Sequence, residues 1–238
     1  EQRHLADLGL AVSKINHDMR NILTSAQLMS DRLAMIDDPM VKRFAPKLLR
    51  TIDRAVSYSS EVLAYGKARE AAPRRRFISL AALAGEVRDV IIEETSTDIS
   101  FVLDMDEGIE IEADNEQLFR AIYNLARNAV QALEADASDD DAIVRRITFS
   151  ARRRGLVVEI RVADTGPGLP AKARENLFQP FRGSARSGGT GLGLAIAREL
   201  VLAHGGTISL DETVTQGTAF RIELPDQPLP LDKFRARA

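Results

Sequence analysis

Asp164-Thr165-Gly166-Pro167-Gly168 and, further along, Gly188-Gly189-Thr190-Gly191-Leu192-Gly193-Leu194 are the stretches on which the reading of this chain turns. The first follows Leu156-Val157-Val158-Glu159-Ile160-Arg161-Val162, an apolar, β-branched run that reads as a buried strand ending in a tight turn. The second opens a helix. Glycines where a strand ends and a helix begins let backbone N–H groups approach a phosphate, and the helix dipole there favours negative charge. A nucleotide site is the natural expectation; turns and caps use glycine too, so the rest of the chain must decide.

With 238 residues and 45% apolar content, the chain can hold one large domain or two small ones and is not disordered as a whole. Its 32 basic and 35 acidic residues leave a net charge of −3, too weak a field to argue for nucleic acid or an anionic membrane. The absence of cysteine excludes disulfides, thiolate metal sites and cysteine nucleophiles, and it is compatible with a reducing cytoplasm. No apolar run is long enough to span a bilayer. Because the chain begins at Glu1 without methionine, it is expected to be a piece of something longer, with any membrane segment upstream.

Leu5, Leu8, Val12, Ile15, Met19, Ile22, Ala26, Met29, Leu33 and Ile36 recur in steps of three and four, the seam of a helical bundle or coiled coil. Asp37-Asp38-Pro39 breaks the helix and restarts it, with Asp38 as N-cap and Pro39 at the first helical position. The second helix, about 40–68, carries a wider stripe through Leu48, Leu49, Ile52, Ala55, Val56, Val62 and Leu63. Two helices bury too little by themselves, so a homodimeric four-helix bundle is expected. His17 points away from the seam, with the Asp18 carboxylate beside it to hold the Nδ1 proton and leave Nε2 nucleophilic. Asn21 lies one turn on, on the same face, where an amide could hold a water. A solvated polar face would also read this way.

The helical pattern fades into Ala71-Ala72-Pro73-Arg74-Arg75-Arg76, a hinge that sets the domains as 1–70, a linker at 71–76, a second domain at 77–225 and a tail at 226–238. In the second domain Phe77-Ile78 reads as a strand and Ser79 as the cap of a helix to about Glu94. Ile99 to Met105 and Glu110 to Ala113 are extended, and Asp114 with Gln117 forms a capping box for a helix to about Glu134. Leu118, Ile122, Leu125, Ala129 and Leu133 make that helix's buried stripe, with Gln117, Arg120, Asn124, Arg127, Asn128 and Gln131 opposite. Asn124 and Asn128 can aim two carbonyl oxygens at one point, which suits Mg²⁺ carried on phosphates; a solvated surface is the plain alternative. The acidic loop near 135–142 lacks the glycine and glutamate of a calcium loop. Strands at 144–151 and 156–163 form a hairpin through Arg152-Arg153-Arg154-Gly155, and 169–187 reads as a mobile lid. The helix from about Gly191 ends at His204-Gly205-Gly206, with His204 a capping or surface residue, and two more strands close the fold.

In order, these pieces resemble a bacterial sensor histidine kinase of two-component signalling over nearly the whole chain. His17-Asp18-Met19-Arg20-Asn21 is similar to the family's phosphoacceptor box and Asn124-Leu125-Ala126-Arg127-Asn128-Ala129 to its N box. Asp164 to Gly168, Phe178 to Phe181, Gly189 to Leu194 and Gly217-Thr218-Ala219-Phe220 resemble its first glycine box, F box, second glycine box and small third glycine box. The chain departs from many relatives at Ile22, where they carry proline, and after Ala129, where Val130-Gln131 replaces a lysine-bearing run.

The resemblance implies an α+β fold: a dimeric helical hairpin followed by an α/β two-layer sandwich ATP-binding domain of the Bergerat or GHKL type, a mixed sheet under helices. It implies that Asp164 accepts the adenine amine, that Gly168 and Thr190 line the base, and that Asn128, with Asn124, meets Mg²⁺ and phosphate. Gly166, Gly189, Gly191, Leu192, Gly193 and Thr218 complete the nucleotide site, and Arg127, Arg182 or Arg186 balances phosphate charge. It implies a cytoplasmic kinase that phosphorylates His17 from ATP and passes the group to an aspartate of a response regulator, with Asn21 open to a phosphatase role. The alternatives are a pseudokinase or phosphotransfer scaffold that binds nucleotide without transfer, and a GHKL ATPase of the chaperone or mismatch-repair sort, which has no use for the hairpin.

Overall fold

The computed structural model describes residues 72–95, 98–106, 108–135, 144–181 and 191–226, with isolated positions between 26 and 55. Among the latter, Asp38 caps a helical stretch as expected: its Oδ1 accepts the Val41 N–H at 3.2 Å and its carbonyl the Lys42 N–H at 2.9 Å. Ile52 is buried, whereas Met29 and Leu48, on the two expected apolar stripes, are exposed in the single chain. His17, Asp18, Asn21, Pro39, the acidic loop at 136–143 and the tail from 227 lie outside the described residues.

The elements run β1 (Arg76–Ser79), α1 (Leu80–Glu94), β2 (Ser100–Met105), β3 (Glu110–Ala113), α2 (Asn115–Ala135), β4 (Arg146–Arg154), β5 (Val157–Asp164), α3 (Ala171–Arg174), α4 (Gly193–Ala203), β6 (Thr207–Leu210) and β7 (Thr218–Pro225). Five strands form one sheet in the order β2-β4-β5-β7-β6, and β1 pairs separately with β3. The sheet is mixed, because β2 reaches β4 through β3 and α2, a crossover that permits parallel pairing, while the other neighbours are antiparallel. The hairpin between β4 and β5 differs from expectation. Its turn is only Gly155-Leu156, with Gly155 at φ 65°, and Arg152 to Arg154 continue the strand. Acids supply the reason: Arg152 pairs with Asp104 and Asp106, and Arg153 Nε lies 2.9 Å from Asp226 Oδ2.

Every second residue of β5 is buried, and Val158, Ile160 and Val162 meet Ile147, Phe149, Phe220 and Ile222 in one core. Leu83, Val87 and Ile91 of α1, Leu118, Leu125 and Leu133 of α2, and Ile196 and Leu200 of α4 cover that face. Each such side chain contributes about 2 kcal/mol by leaving water. The other face is polar and places Arg161 directly opposite Arg221, a repulsive cross-strand pair. Asp211 resolves it, with Oδ2 at 3.0 Å from Arg161 Nε and Oδ1 at 3.2 Å from Arg221 Nη2. The Thr213 hydroxyl, against the cost of burial, does most to hold the Asp211 carboxyl well below the usual carboxylate range; the Thr213 N–H and both guanidiniums add to it.

Local signals explain the helix starts. Ser79 Oγ accepts the Ala82 N–H at 3.3 Å, and Asp114 Oδ1 accepts the Gln117 N–H at 3.1 Å. The reciprocal arm of the expected capping box is replaced: the Asp114 N–H donates to His204 Nε2 at 3.0 Å. His204 does end α4, but it is 4% exposed and not a surface residue, with Nδ1 2.8 Å from the Leu200 carbonyl. An amide N–H can only donate, so Nε2 accepts, Nδ1 carries the proton and the imidazole is neutral. Gln117, expected on the polar side of α2, is buried as well.

Two outcomes follow from these contacts. Burial pushes the His204 pKa down, helped by the Arg75 charge and opposed by the Leu200 carbonyl and Asp114. Folding therefore favours the neutral ring, and its contribution is full above about pH 6.5 and lost as pH falls through the depressed folded value. The thermal midpoint should drop between about pH 7.5 and about pH 5 more steeply in wild type than in His204→Gln, which cannot take up that proton. Gly217 sits at φ 80°, and a Cβ there would lie 1.8 Å from the Asp164 carbonyl oxygen; at Gly108, φ 68°, nothing lies within 4 Å. Denaturant unfolding should show Gly217→Ala losing at least about 2 kcal/mol and Gly108→Ala about 1 kcal/mol.

Candidate functional site

The buried strand β5 ends in Asp164, 8% exposed, because the alternation that sends Val158, Ile160 and Val162 inward also sends the next even position inward. A buried carboxylate needs donors. Asp164 Oδ1 accepts the Gly166 N–H at 2.8 Å and the Thr218 N–H at 3.2 Å, so the carboxylate is fixed by the turn that follows it and by the first residue of β7. Gly166 permits this: a Cβ there would lie 2.9 Å from Asp164 Oδ1 and within 3.6 Å of Ala132 and Leu133 of α2. Gly168, at φ 78°, then turns the chain against the Gly217 carbonyl.

The second half of the site forms where α4 begins. Gly191 has φ 72°, Leu192 is fully buried as an anchor, and no side chain caps the first turn of α4 from the Leu192 position. Across from that turn stand the two amides of α2. Asn124 Nδ2 donates to the Arg120 carbonyl at 2.8 Å, which orients its Oδ1 outward. A Cβ on Gly193 would lie 3.3 Å from Asn124 Oδ1 and 3.8 Å from Asn128 Oδ1, so both oxygens converge on the helix start as the i, i+4 spacing implied. Among the described residues no group of three or more His, Cys, Asp or Glu is arranged to hold a metal; the converging oxygen donors are these two amides, a donor type that fits a hard cation bound mainly by phosphate oxygens.

Thus the structure brings together Asn124 and Asn128 with Gly193, and Asp164 with Gly166 and Thr218. Arg127 is half-buried on the same helix. From Asn124 to Leu133, α2 rises by about 13 Å, which sets the spacing between the Asp164 turn and the start of α4. Gly189, Thr190, Arg182 and Arg186 lie outside the described residues. Sequence reading missed Ala132 and Leu133, the wall behind Gly166, because nothing in an apolar helix stripe announces a glycine packed against it.

The segment expected to be a lid divides its two phenylalanines. Phe178 packs edge-on against Phe220 of β7, ring centroids 6.3 Å apart, and its neighbour in sequence, Leu177, is buried. Phe181 is 54% exposed at φ 63°, and its N–H donates to the Gly191 carbonyl at 3.3 Å, fastening it to the chain just ahead of α4. A short helix, α3, precedes them.

Residues 113–228 match the family model described as histidine kinase-, DNA gyrase B- and HSP90-like ATPase. The chain is 28% identical over 229 residues to the sensor-like histidine kinase SenX3 of Mycolicibacterium smegmatis, covering 92% of this chain and 58% of that protein. It is 30% identical over 226 residues to the sensory histidine kinase/phosphatase NtrB of Salmonella typhimurium, covering 90% of this chain and 61% of that one. The chain thus spans about three fifths of the length of these curated relatives. Histidine kinase ThkA, solved in complex with response regulator protein TrrA, superposes with a TM-score of 0.65 at 25% identity over 95% of this chain and 64% of that one. Full-length ShkA, solved with AMPPNP, has a TM-score of 0.69 at 24% identity over 91% of this chain and 45% of that one, which supports the fold. The glycine-lined cradle, the paired asparagines and these relatives lead to one conclusion: residues 113–228 form a domain of the histidine kinase-, DNA gyrase B- and HSP90-like ATPase family, in a chain that is similar over about nine tenths of its length to sensor histidine kinases.

Proposed function

We propose that the chain is a kinase core that binds ATP in the cradle between α2, the β5 turn and α4, and transfers its γ-phosphoryl group to His17. The observation that carries this reading is the fixed Asp164 carboxylate at one end of α2 and the convergence of Asn124 and Asn128 on Gly193 at the other. Asp164 would accept the adenine amine beside Gly168 and Thr190. The N–H groups of Gly189, Gly191, Leu192 and Gly193 would cradle the phosphates at the start of α4. Asn128, with Asn124, would hold Mg²⁺ against them, and Arg127 would balance charge. Mg²⁺ supplies neutralisation of the charge on the transferring group.

His17 Nε2, its Nδ1 proton held by Asp18, attacks the γ-phosphorus in line; the bond to the β,γ-bridging oxygen breaks and ADP leaves with the electron pair. We further read residues 1–70 as the hairpin of a homodimeric four-helix bundle, 71–76 as a linker, 77–225 as the ATP-binding domain and 226–238 as a tail. The exposure of Met29 and Leu48 in the single chain supports a partner helix over those stripes. The phosphohistidine would pass its group to an aspartate of a response regulator, the partner in the ThkA complex. Asn21, four residues on from His17 in sequence, would align a water for the phosphatase reaction that the name of NtrB includes. Such a core would work in the cytoplasm; no helix among the described residues is long and apolar enough to cross a membrane.

Incubation with γ-labelled ATP and Mg²⁺ should give an acid-labile, alkali-stable label that is absent from His17→Gln. Nucleotide binding without label would favour the scaffold, and free phosphate without label the chaperone-type ATPase. In calorimetry, Asp164→Asn should bind ATP roughly 10- to 100-fold more weakly, the worth of one hydrogen bond to a charged acceptor. Unchanged affinity would sink the adenine assignment.

A further inference from the structure

We infer that Asp114 and His204 are a positioning pair that ties the linker ahead of the catalytic domain to the two helices of the nucleotide site. The inference rests on the nucleotide reading above.

Asp114 stands where three segments meet. Its Oδ2 accepts the backbone N–H of Arg74, in the linker, at 2.8 Å. Its Oδ1 accepts the Gln117 N–H and so begins α2, and its own N–H donates to His204 Nε2, whose Nδ1–H donates to Leu200 in the last turn of α4. One continuous run of hydrogen bonds therefore reaches from the linker backbone to both helices. Helix α2 carries Asn124 and Asn128, and α4 begins at Gly193, on which those amides converge. The expected hinge is thus fastened at Arg74.

The chemistry makes the tie exacting. Asp114 uses separate oxygens for the linker and for the cap, so the linker contact can be lost while the cap survives. His204 joins the run only as the neutral ring with the proton on Nδ1, and its burial keeps water from replacing either partner. A ligand that draws α2 and α4 together at Asn124, Asn128 and Gly193 must favour the arrangement in which Arg74 is held. By reciprocity, a linker held at Arg74 favours nucleotide. A movement in the helical hairpin would reach the ATP site by this route.

The test is amide hydrogen exchange at Arg74 in the full 238-residue chain, with and without AMP-PNP and Mg²⁺, binding being measured separately by calorimetry. In wild type, nucleotide should slow exchange at Arg74 by roughly fivefold or more. Asp114→Asn keeps an oxygen for the Gln117 N–H but turns an NH₂ toward Arg74; at saturating nucleotide it should abolish the slowing and, by the same reciprocity, weaken AMP-PNP binding by a similar factor of roughly fivefold. His204→Gln retains an acceptor for the Asp114 N–H and should keep most of the slowing, whereas His204→Leu should lose it. Equal slowing in wild type, Asp114→Asn and His204→Leu would overturn the pair, as would no slowing in a wild type that calorimetry finds occupied. A wild type that binds no AMP-PNP would instead overturn the nucleotide reading, and the coupling with it.

Discussion

The carboxylate of Asp164, closed by the N–H groups of Gly166 and Thr218, is the contact on which the rest of the site depends. It lies at the end of a strand buried by strict alternation, so the core sets its depth. Two backbone donors make it tolerable there and fix its direction. Those donors come from segments distant in sequence, the turn after β5 and the start of β7, so the group is in place only when the sheet is complete. Gly217 makes that junction possible by passing where a side chain would collide with the Asp164 carbonyl.

Helix α2 is the second constraint. One side packs into the core through Leu118, Leu125 and Leu133, and another presents Asn124 and Asn128 to the first turn of α4. Gly166 rests against its later turns, so one rigid element spaces the Asp164 turn from the start of α4. Both ends of the device are short-range glycine contacts, and the distance between them is set by helical rise. A site built this way is rigid along α2, while Phe178 is anchored on Phe220 and the Phe181 N–H holds the Gly191 carbonyl.

Features that rest on local chemistry were legible in the sequence. The caps at Ser79, Asp38 and Asp114, the two-faced α2 and the glycines at the strand end and helix start all carry their cause within a few residues. The mixed sheet came from the family resemblance, because no local pattern says that β2 runs parallel to β4. What failed to read depended on partners far along the chain. Arg152 to Arg154 look like a turn until Asp104, Asp106 and Asp226 are beside them. Gln117 and His204 are polar residues at helix ends, yet both are buried, and His204 accepts the N–H of the residue that caps α2. The order of the motifs carried the site, whereas single residues such as Asn124 remained ambiguous until Gly193 stood opposite.

The central claim, that Asp164 reads the purine by its exocyclic amine, is tested most directly by comparing ATP with ITP in calorimetry with Mg²⁺ present. ITP carries a carbonyl where adenine carries that amine, and its N1 becomes an N–H donor. A carboxylate placed to accept from an N–H would face an oxygen acceptor, and buried polar groups left unpaired cost heavily. The account predicts ITP binding weaker by at least about tenfold, with the difference largely removed in Asp164→Asn, whose amide can donate to the carbonyl. Equal affinity of wild type for ATP and ITP would contradict it.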